Sequence, residues 1–360
     1  MSTRRTFLMQ AAISGSIATV NMDAQAPLAA AEETPGLSRR MVTTRIPHTD
    51  LVVSRIAYGC AYLVDPRKPM NAEATAKATR LINTAYDNGI TFFDQADVYG
   101  QSEVALGEVF KRSPGLRNRI VLQSKGGMVF PDDSSPERFW LDGSHDNLIR
   151  SVESSLRRLG TDHLDLFLLH WPDSLGSPDE VASAFDELKR SGKVRYFGVS
   201  NHSVMQMDLL RKTVRQPLVA NQIPIGLARP DLIAEGSPDI SPQTAPTTPL
   251  TGAVDYCRLH DLQIQAYSPL RGALLSPSEN APAQTKEAAK TLADMARDKN
   301  TSPSALALAW LLRHPAGIVP IIGTTNPMHV AEDCAAIRLT LSREEWYTLC
   351  FAANRIPRAA

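Results

Sequence analysis

An alternation runs through most of this chain and limits its fold more than any other feature. Compact runs of β-branched and apolar residues stand at Arg55–Gly59, Ile90–Asp94, Ile120–Ser124, Leu164–His170, Val194–Ser200, Leu218–Gln222, Leu262–Tyr267 and Ile318–Ile322. Between them lie stretches of helical period, among them Ala72–Asn88, Asn147–Leu159, Asp179–Arg190, Lys286–Lys299 and Ser304–Arg313. Strands alternating with helices build parallel sheets, and eight of them close into a barrel more readily than they lie open. The runs read as nearly continuous apolar segments, Leu164–Leu169 most clearly, as strands buried on both faces do. No Gly-x-Gly-x-x-Gly turn follows the first run, so an open dinucleotide-binding sheet has no support. The expected fold is α/β: a (β/α)8 TIM barrel with a short N-terminal β-hairpin. That hairpin is formed by Met41–Ile46 and Leu51–Val53 around the polar turn His48-Thr49-Asp50.

The 360 residues suit one such barrel, spanning 41–360, although the same length would hold two average domains. Lys+Arg and Asp+Glu both number 38, so no charge excess points to nucleic acid or an anionic membrane. A small molecule is the expected partner. Cys60, Cys257, Cys334 and Cys350 form no C-x-x-C pair, so they read as packed free thiols and no metal site is expected. The segment Leu227–Leu250 carries five prolines and is either a disordered insertion or a loop over the active face.

The first 31 residues differ from the rest. Arg4-Arg5-Thr6-Phe7-Leu8 precedes a moderately apolar stretch to Val20, and Ala29-Ala30-Ala31 offers a cleavage site. This resembles a twin-arginine export signal, followed by a linker over 32–40. Periplasmic or equivalent export is the expectation, a disordered cytoplasmic extension the alternative. The stretch is too short to be a membrane anchor.

In a barrel, reacting groups sit where strands end and βα loops begin. Asp94 closes the second strand, Tyr99 lies in the loop after it, Lys125 ends the third strand and His170 ends the fourth. A loop tyrosine usually packs, and a strand-end histidine often only satisfies a carbonyl. A lysine ending an apolar strand, however, must find a carboxylate. Together the four answer one chemical need. Reducing a carbonyl takes hydride at carbon and a proton at oxygen. Tyrosine, with a free pKa near ~10, becomes a useful acid when a neighbouring Lys⁺ lowers it. Asp94 would hold that lysine charged, and His170 would donate to the substrate oxygen or relay the proton.

These motifs, with Gly192-Lys193-Val194-Arg195-Tyr196-Phe197-Gly198-Val199-Ser200-Asn201, make the chain from about residue 41 onward resemble the aldo-keto reductase superfamily, in particular its bacterial predicted-oxidoreductase branch. The resemblance implies reduction of an aldehyde or ketone with NAD(P)H, Tyr99 as proton donor, and Asp94, Lys125 and His170 completing the tetrad. It implies that Ser200, Asn201 and Gln222 hold the nicotinamide carboxamide, although Ser-Asn alone would also make a turn or helix cap. Tyr267 would stack on the nicotinamide, and Ser268, Leu270 and Gly272 would contact the pyrophosphate. The adenosine end would meet Thr324, Thr325, Asn326, His329, Glu332 and Asp333, where a helix N-terminus follows. His329 stands where an arginine often clamps the 2′-phosphate, and histidine lacks its fork, so NADP is expected with NAD possible. Arg271 replaces a small residue and either adds a phosphate contact or points to solvent. Tyr62, Trp171 and the Leu227–Leu250 loop would line an apolar or aromatic carbonyl pocket. The competing reading is a non-catalytic or slow-turnover nicotinamide-binding regulatory or sensor subunit. A metal-dependent barrel hydrolase would need a cluster of ligands at the strand ends, and only His170 is there.

Overall fold

A computed structural model describes residues 41–65, 68–130, 139–235, 250–270 and 274–354. The leader, the linker, Arg271, Gly272 and most of the proline-rich segment lie outside the described residues.

Eight parallel strands close into a barrel: β3 (Ala57–Gly59), β4 (Phe92–Asp94), β5 (Val121–Gly126), β8 (Leu164–Leu169), β9 (Val194–Ser200), β10 (Leu218–Ile223), β11 (Gln263–Tyr267) and β12 (Val319–Ile322), which pairs back onto β3. Each coincides with an apolar run of the sequence. The first run is trimmed to three residues, and the third strand runs on to Gly126, one residue past Lys125. Before the barrel, β1 (Thr43–Arg45) and β2 (Val52–Ser54) pair antiparallel as the expected hairpin. Ile46, Leu51 and Val53 beside this hairpin are buried against Phe92, Val121, Leu166, Val219 and Val319, which stand in the N-terminal parts of their strands. The hairpin therefore plugs that end of the barrel and leaves the opposite mouth for chemistry.

The helices are α1 (Ala72–Asp87), α2 (Ser102–Arg112), α3 (His145–Leu159), α4 (Pro178–Arg190), α5 (Val204–Arg211), α6 (Ala253–Leu259), α7 (Ala283–Asp298), α8 (Pro303–Leu312), α9 (Pro327–Cys334) and α10 (Arg343–Asn354). Their starts follow local chemistry. Asn71 caps α1 by accepting from the Ala74 N–H, and Ser177 caps α4, whose first residue is Pro178. Gly160 ends α3 with φ 63°, a conformation that glycine adopts without strain. Helix α2, which is not among the helical stretches named from the sequence, contains Gly107. A Cβ there would meet the Arg158 carbonyl oxygen at 2.5 Å, so the glycine permits close packing of α2 on α3. Helix α5, also not among those stretches, begins on a capping box formed by Ser203 and Gln206. A second small hairpin, β6 (Met128–Val129) with β7 (Trp140–Leu141), follows β5 and was not expected. Among the described residues no helix is long and apolar enough to cross a membrane, and the four cysteines are buried and free.

Candidate active site

The C-terminal mouth of the barrel brings Asp94, Tyr99, Lys125 and His170 together. Asp94 and Lys125 are inward-facing residues at the ends of the neighbouring strands β4 and β5, both almost wholly buried. The three protons of the Lys125 ammonium are all committed: to Asp94 Oδ2 at 2.8 Å, to the Gln95 carbonyl at 2.8 Å and to Tyr99 Oη at 3.1 Å. One cation thus joins a carboxylate on one side to a phenol on the other.

Electrostatics then fix which groups carry protons. Burial works against the Lys125 charge, but Asp94 and Tyr99 together outweigh it and hold the ammonium above the ordinary lysine range. Burial pushes the Tyr99 hydroxyl up, Lys125 pulls it down, and burial wins. The sequence reading expected the lysine to leave tyrosine below its usual value; in the folded protein its pull only limits a rise. The reason is that the same packing that excludes water from the lysine excludes it from the phenol. His170 is driven well below the usual histidine range, first by burial and then by the Lys125 charge, so its imidazole is neutral. Its ring stands edge-on to Tyr99 with centroids 6.1 Å apart, and its buried Nδ1 has no hydrogen-bond partner among the described residues.

Ser200, Asn201, Gln222 and Tyr267 lie at the ends of β9, β10 and β11 on the same mouth, and they hold one another. Asn201, at φ 61°, donates from Nδ2 to the His170 carbonyl at 3.1 Å and to Ser200 Oγ at 3.0 Å. The Tyr267 hydroxyl donates to Asn201 Oδ1 at 3.0 Å, and Ser200 Oγ donates to the Gln222 carbonyl at 2.8 Å. This preformed rim of amides and hydroxyls offers both donors and acceptors, which is the chemistry a nicotinamide carboxamide requires. The chain fits that group.

The remaining expected residues are more dispersed. Ser268, at φ 50°, and Leu270 follow directly on Tyr267, half-buried, while Gly272 lies outside the described residues. Thr324, Thr325 and Asn326 form the turn from β12 into α9, with the Thr324 carbonyl held by Tyr58 Oη at 2.8 Å. His329 and Glu332 are exposed on α9, but Asp333 is buried. Burial raises its carboxyl to about 7, against a hydrogen bond from Ser304. Tyr62, in the loop after β3, and Trp171, next to His170, are half-buried.

The sequence reading missed Gln123, Gln263 and Gln265, which are buried inside the barrel. The signal was present. Residues two apart on a strand share a face, so β5 presents Val121, Gln123 and Lys125 inward, and β11 presents Gln263, Gln265 and Tyr267. Barrel interiors are ordinarily filled by branched apolar side chains. Glutamine at those positions is a departure that period-2 reading exposes.

The profile of the aldo/keto reductase family matches residues 55–350. A 6-dehydroglucose reductase of Novosphingobium aromaticivorans is 34% identical over 323 residues, covering 87% of this chain and 96% of that protein. One of Agrobacterium fabrum is 36% identical over 303 residues, covering 83% of this chain and 94% of the relative. Among solved structures, a glycerol dehydrogenase of Gluconobacter oxydans superposes with a TM-score of 0.73 at 25% identity, covering 88% of this chain and 97% of that one. The likeness spans the barrel from its first strand to its last helix and includes the strand ends that carry the lysine-centred cluster. On that ground the chain belongs to the aldo/keto reductase family, an NADP-dependent family of oxidoreductases.

Proposed function

We propose that this oxidoreductase reduces an aldehyde or ketone to the alcohol, with hydride from NAD(P)H and the proton from Tyr99. The observation that carries the reading is the single Lys125 ammonium bonded to both Asp94 and Tyr99 Oη. When bound, the reduced nicotinamide supplies hydride to the carbonyl carbon. Tyr99 Oη donates its proton to the carbonyl oxygen as negative charge grows there, and Lys125 stabilises the phenolate left behind. Asp94 keeps the lysine charged and aimed. His170, neutral beside Tyr99, orients the carbonyl oxygen by hydrogen bonding and adds no charge. Ser200, Asn201 and Gln222 would hold the carboxamide, Tyr267 the nicotinamide ring, Ser268 and Leu270 the pyrophosphate, and the Thr324–Asn326 turn the adenosine end.

Two relatives bear the name 6-dehydroglucose reductase, which supports a polyhydroxylated aldehyde as substrate. Tyr62, in the loop after β3, and Trp171, next to His170 in the chain, favour an apolar or aromatic carbonyl instead. A panel of sugar aldehydes, aromatic aldehydes and ketones, tested with NADPH and NADH, separates the two. Tyr99→Phe should lower kcat on the best substrate by ~10²–10⁴-fold while cofactor affinity stays nearly unchanged. A variant retaining more than about a tenth of kcat would remove Tyr99 from the proton-donor role. We also infer from the Arg4-Arg5 leader that the protein is exported through a twin-arginine route.

A further inference from the structure

At the end of the barrel opposite the tetrad, a cleft of about 450 Å³ opens beside the plugging hairpin. Thr43 and Val52 of the hairpin line it together with three arginines: Arg117 and Arg119 in the turn before β5, and Arg195 in β9. A cavity of this size takes a small organic molecule. Nothing in the proposed reduction uses it, and it lies at the far ends of the strands that carry Lys125, His170 and Ser200.

Charges at this end of a barrel ordinarily serve stability, but here they exceed what stability asks. Asp165, in β8, has a side chain only 3% exposed. Its Oδ2 accepts from the Leu122 N–H at 3.0 Å and lies 2.9 Å from Arg117 Nη1, while Oδ1 accepts from Arg195 Nη1 at 2.7 Å. One guanidinium would neutralise this carboxylate, and the fold supplies two. Arg117 is fixed besides, donating from Nε to Thr161 Oγ1 at 3.1 Å and from Nη2 to the His163 carbonyl at 2.9 Å. The charge left on Arg195 is met by Asp50 in the hairpin turn, whose two oxygens accept from Nη2 at 2.9 Å each. The Asp50 side chain is 65% exposed, however, so water screens that pair. Asp162 is spent on the His163 ring at 2.6 Å. Arg119 pairs with no carboxylate among the described residues and stands over the Tyr86 ring, 5.3 Å from its centroid. The three guanidiniums of the cleft therefore face two carboxylates, Asp165 and Asp50, and positive charge is left over.

We propose that this cleft is a second small-molecule site, one that takes a phosphate monoester with its dianion among Arg117, Arg119 and Arg195. Guanidinium forks match phosphate oxygens, and a monoester carries about −1.5 to −2 charges at neutral pH. Three forks also ask for more acceptor lone pairs than one carboxylate brings. Asp50 shows the chemistry in miniature: its carboxylate occupies the Arg195 fork as a ligand oxyanion would, and the two compete for it. Val52, 48% exposed, offers the organic part of the ester an apolar contact that free phosphate would leave uncovered. None of these residues belongs to the tetrad or to the proposed cofactor rim, so the site stands apart from the reductase reading.

The probe is glycerol 3-phosphate, titrated calorimetrically onto the full-length protein in saturating NADPH, so that any phosphate site at the mouth is already filled. One molecule should bind per chain, more weakly as salt is added, while glycerol alone should not bind. Arg119→Ala, at an exposed position, should weaken binding by at least about fivefold, and Arg119→Lys, which keeps the charge but not the fork, by less. Asp50→Asn removes the internal competitor and keeps every cation, so it should tighten binding by at least about twofold. A purely structural role for these charges predicts no such gain. Absence of binding up to about 10 mM ligand overturns the proposal, and so does binding that NADPH abolishes, which would mark the mouth. Binding indifferent to both Arg119→Ala and Asp50→Asn overturns it by placing the ligand elsewhere. Inorganic phosphate bound as tightly as the ester overturns the assignment to a monoester. If NADPH itself does not bind, the reductase reading fails while the Arg119 and Asp50 variants still decide this site.

Discussion

At Tyr99 two forces oppose one another, and their balance sets the pH at which the reaction runs. Exclusion of water raises the phenol and the Lys125 charge lowers it, with burial the stronger. The form that reduces a carbonyl is the protonated one, and a raised pKa means that the proton is lost only at higher pH. Reduction should thus persist through the neutral range and decline only above the ordinary tyrosine value of about 10. Oxidation of the alcohol, which needs the phenolate as base, should rise over the same alkaline window. His170 has the opposite sign: its lowered pKa keeps it neutral at the ordinary histidine value of about 6.5 and below it. Measured kcat/KM for reduction should show no limb there. A limb near about 6.5 that vanishes in His170→Asn would mean that the imidazole works as a cation.

Among the elements, α9 decides how a cofactor phosphate would be met. A helix start offers several free N–H groups to an anion. Here the turn uses most of them itself: Asn326 N–H goes to Thr324 Oγ1 at 3.2 Å, Pro327 has none, and Met328 N–H goes to Asn326 Oδ1 at 3.0 Å. The first turn keeps the His329 N–H, and that residue's exposed side chain stands beside it. On the proposed reading, a phosphate at this helix start would lean on the His329 side chain, which lacks the permanent charge and fork of arginine. His329→Arg should tighten NADPH by about ten- to hundredfold and leave NADH within about twofold, measured as paired dissociation constants. Equal tightening of both would place His329 away from the 2′-phosphate.

For the whole molecule the open matter is where it works. A nicotinamide enzyme outside the cytoplasm has no evident supply of reduced cofactor. A twin-arginine route would carry it folded and loaded. Cells expressing the natural chain should yield a mature form beginning near Glu32 in the periplasm or its equivalent. Arg4→Lys combined with Arg5→Lys should trap an active precursor in the cytoplasm. N-terminal sequencing of fractionated protein decides it: uncleaved natural chain confined to the cytoplasm ends the export reading and leaves the chemistry untouched.

The barrel and its tetrad were legible in the residues because both are local signals. Apolar runs such as Leu164–Leu169 declare buried strands, and Asp94, Lys125 and His170 declare themselves by standing polar at the ends of such runs. An unbroken apolar period, as in α3, declares a helix in the sequence, whereas at Gly107 of α2 helix propensity is traded for close contact with α3. What the order of residues could not decide was anything that depends on two strands meeting. Gln123 and Gln265 are 142 residues apart in the chain and exchange two hydrogen bonds in the barrel. The rise of Tyr99 above its free value and the burial of Asp333 likewise arise from what packs around each group. Charge and polarity belong to the residue, but dielectric and hydrogen-bond direction belong to its surroundings, and closing the barrel is what creates those surroundings.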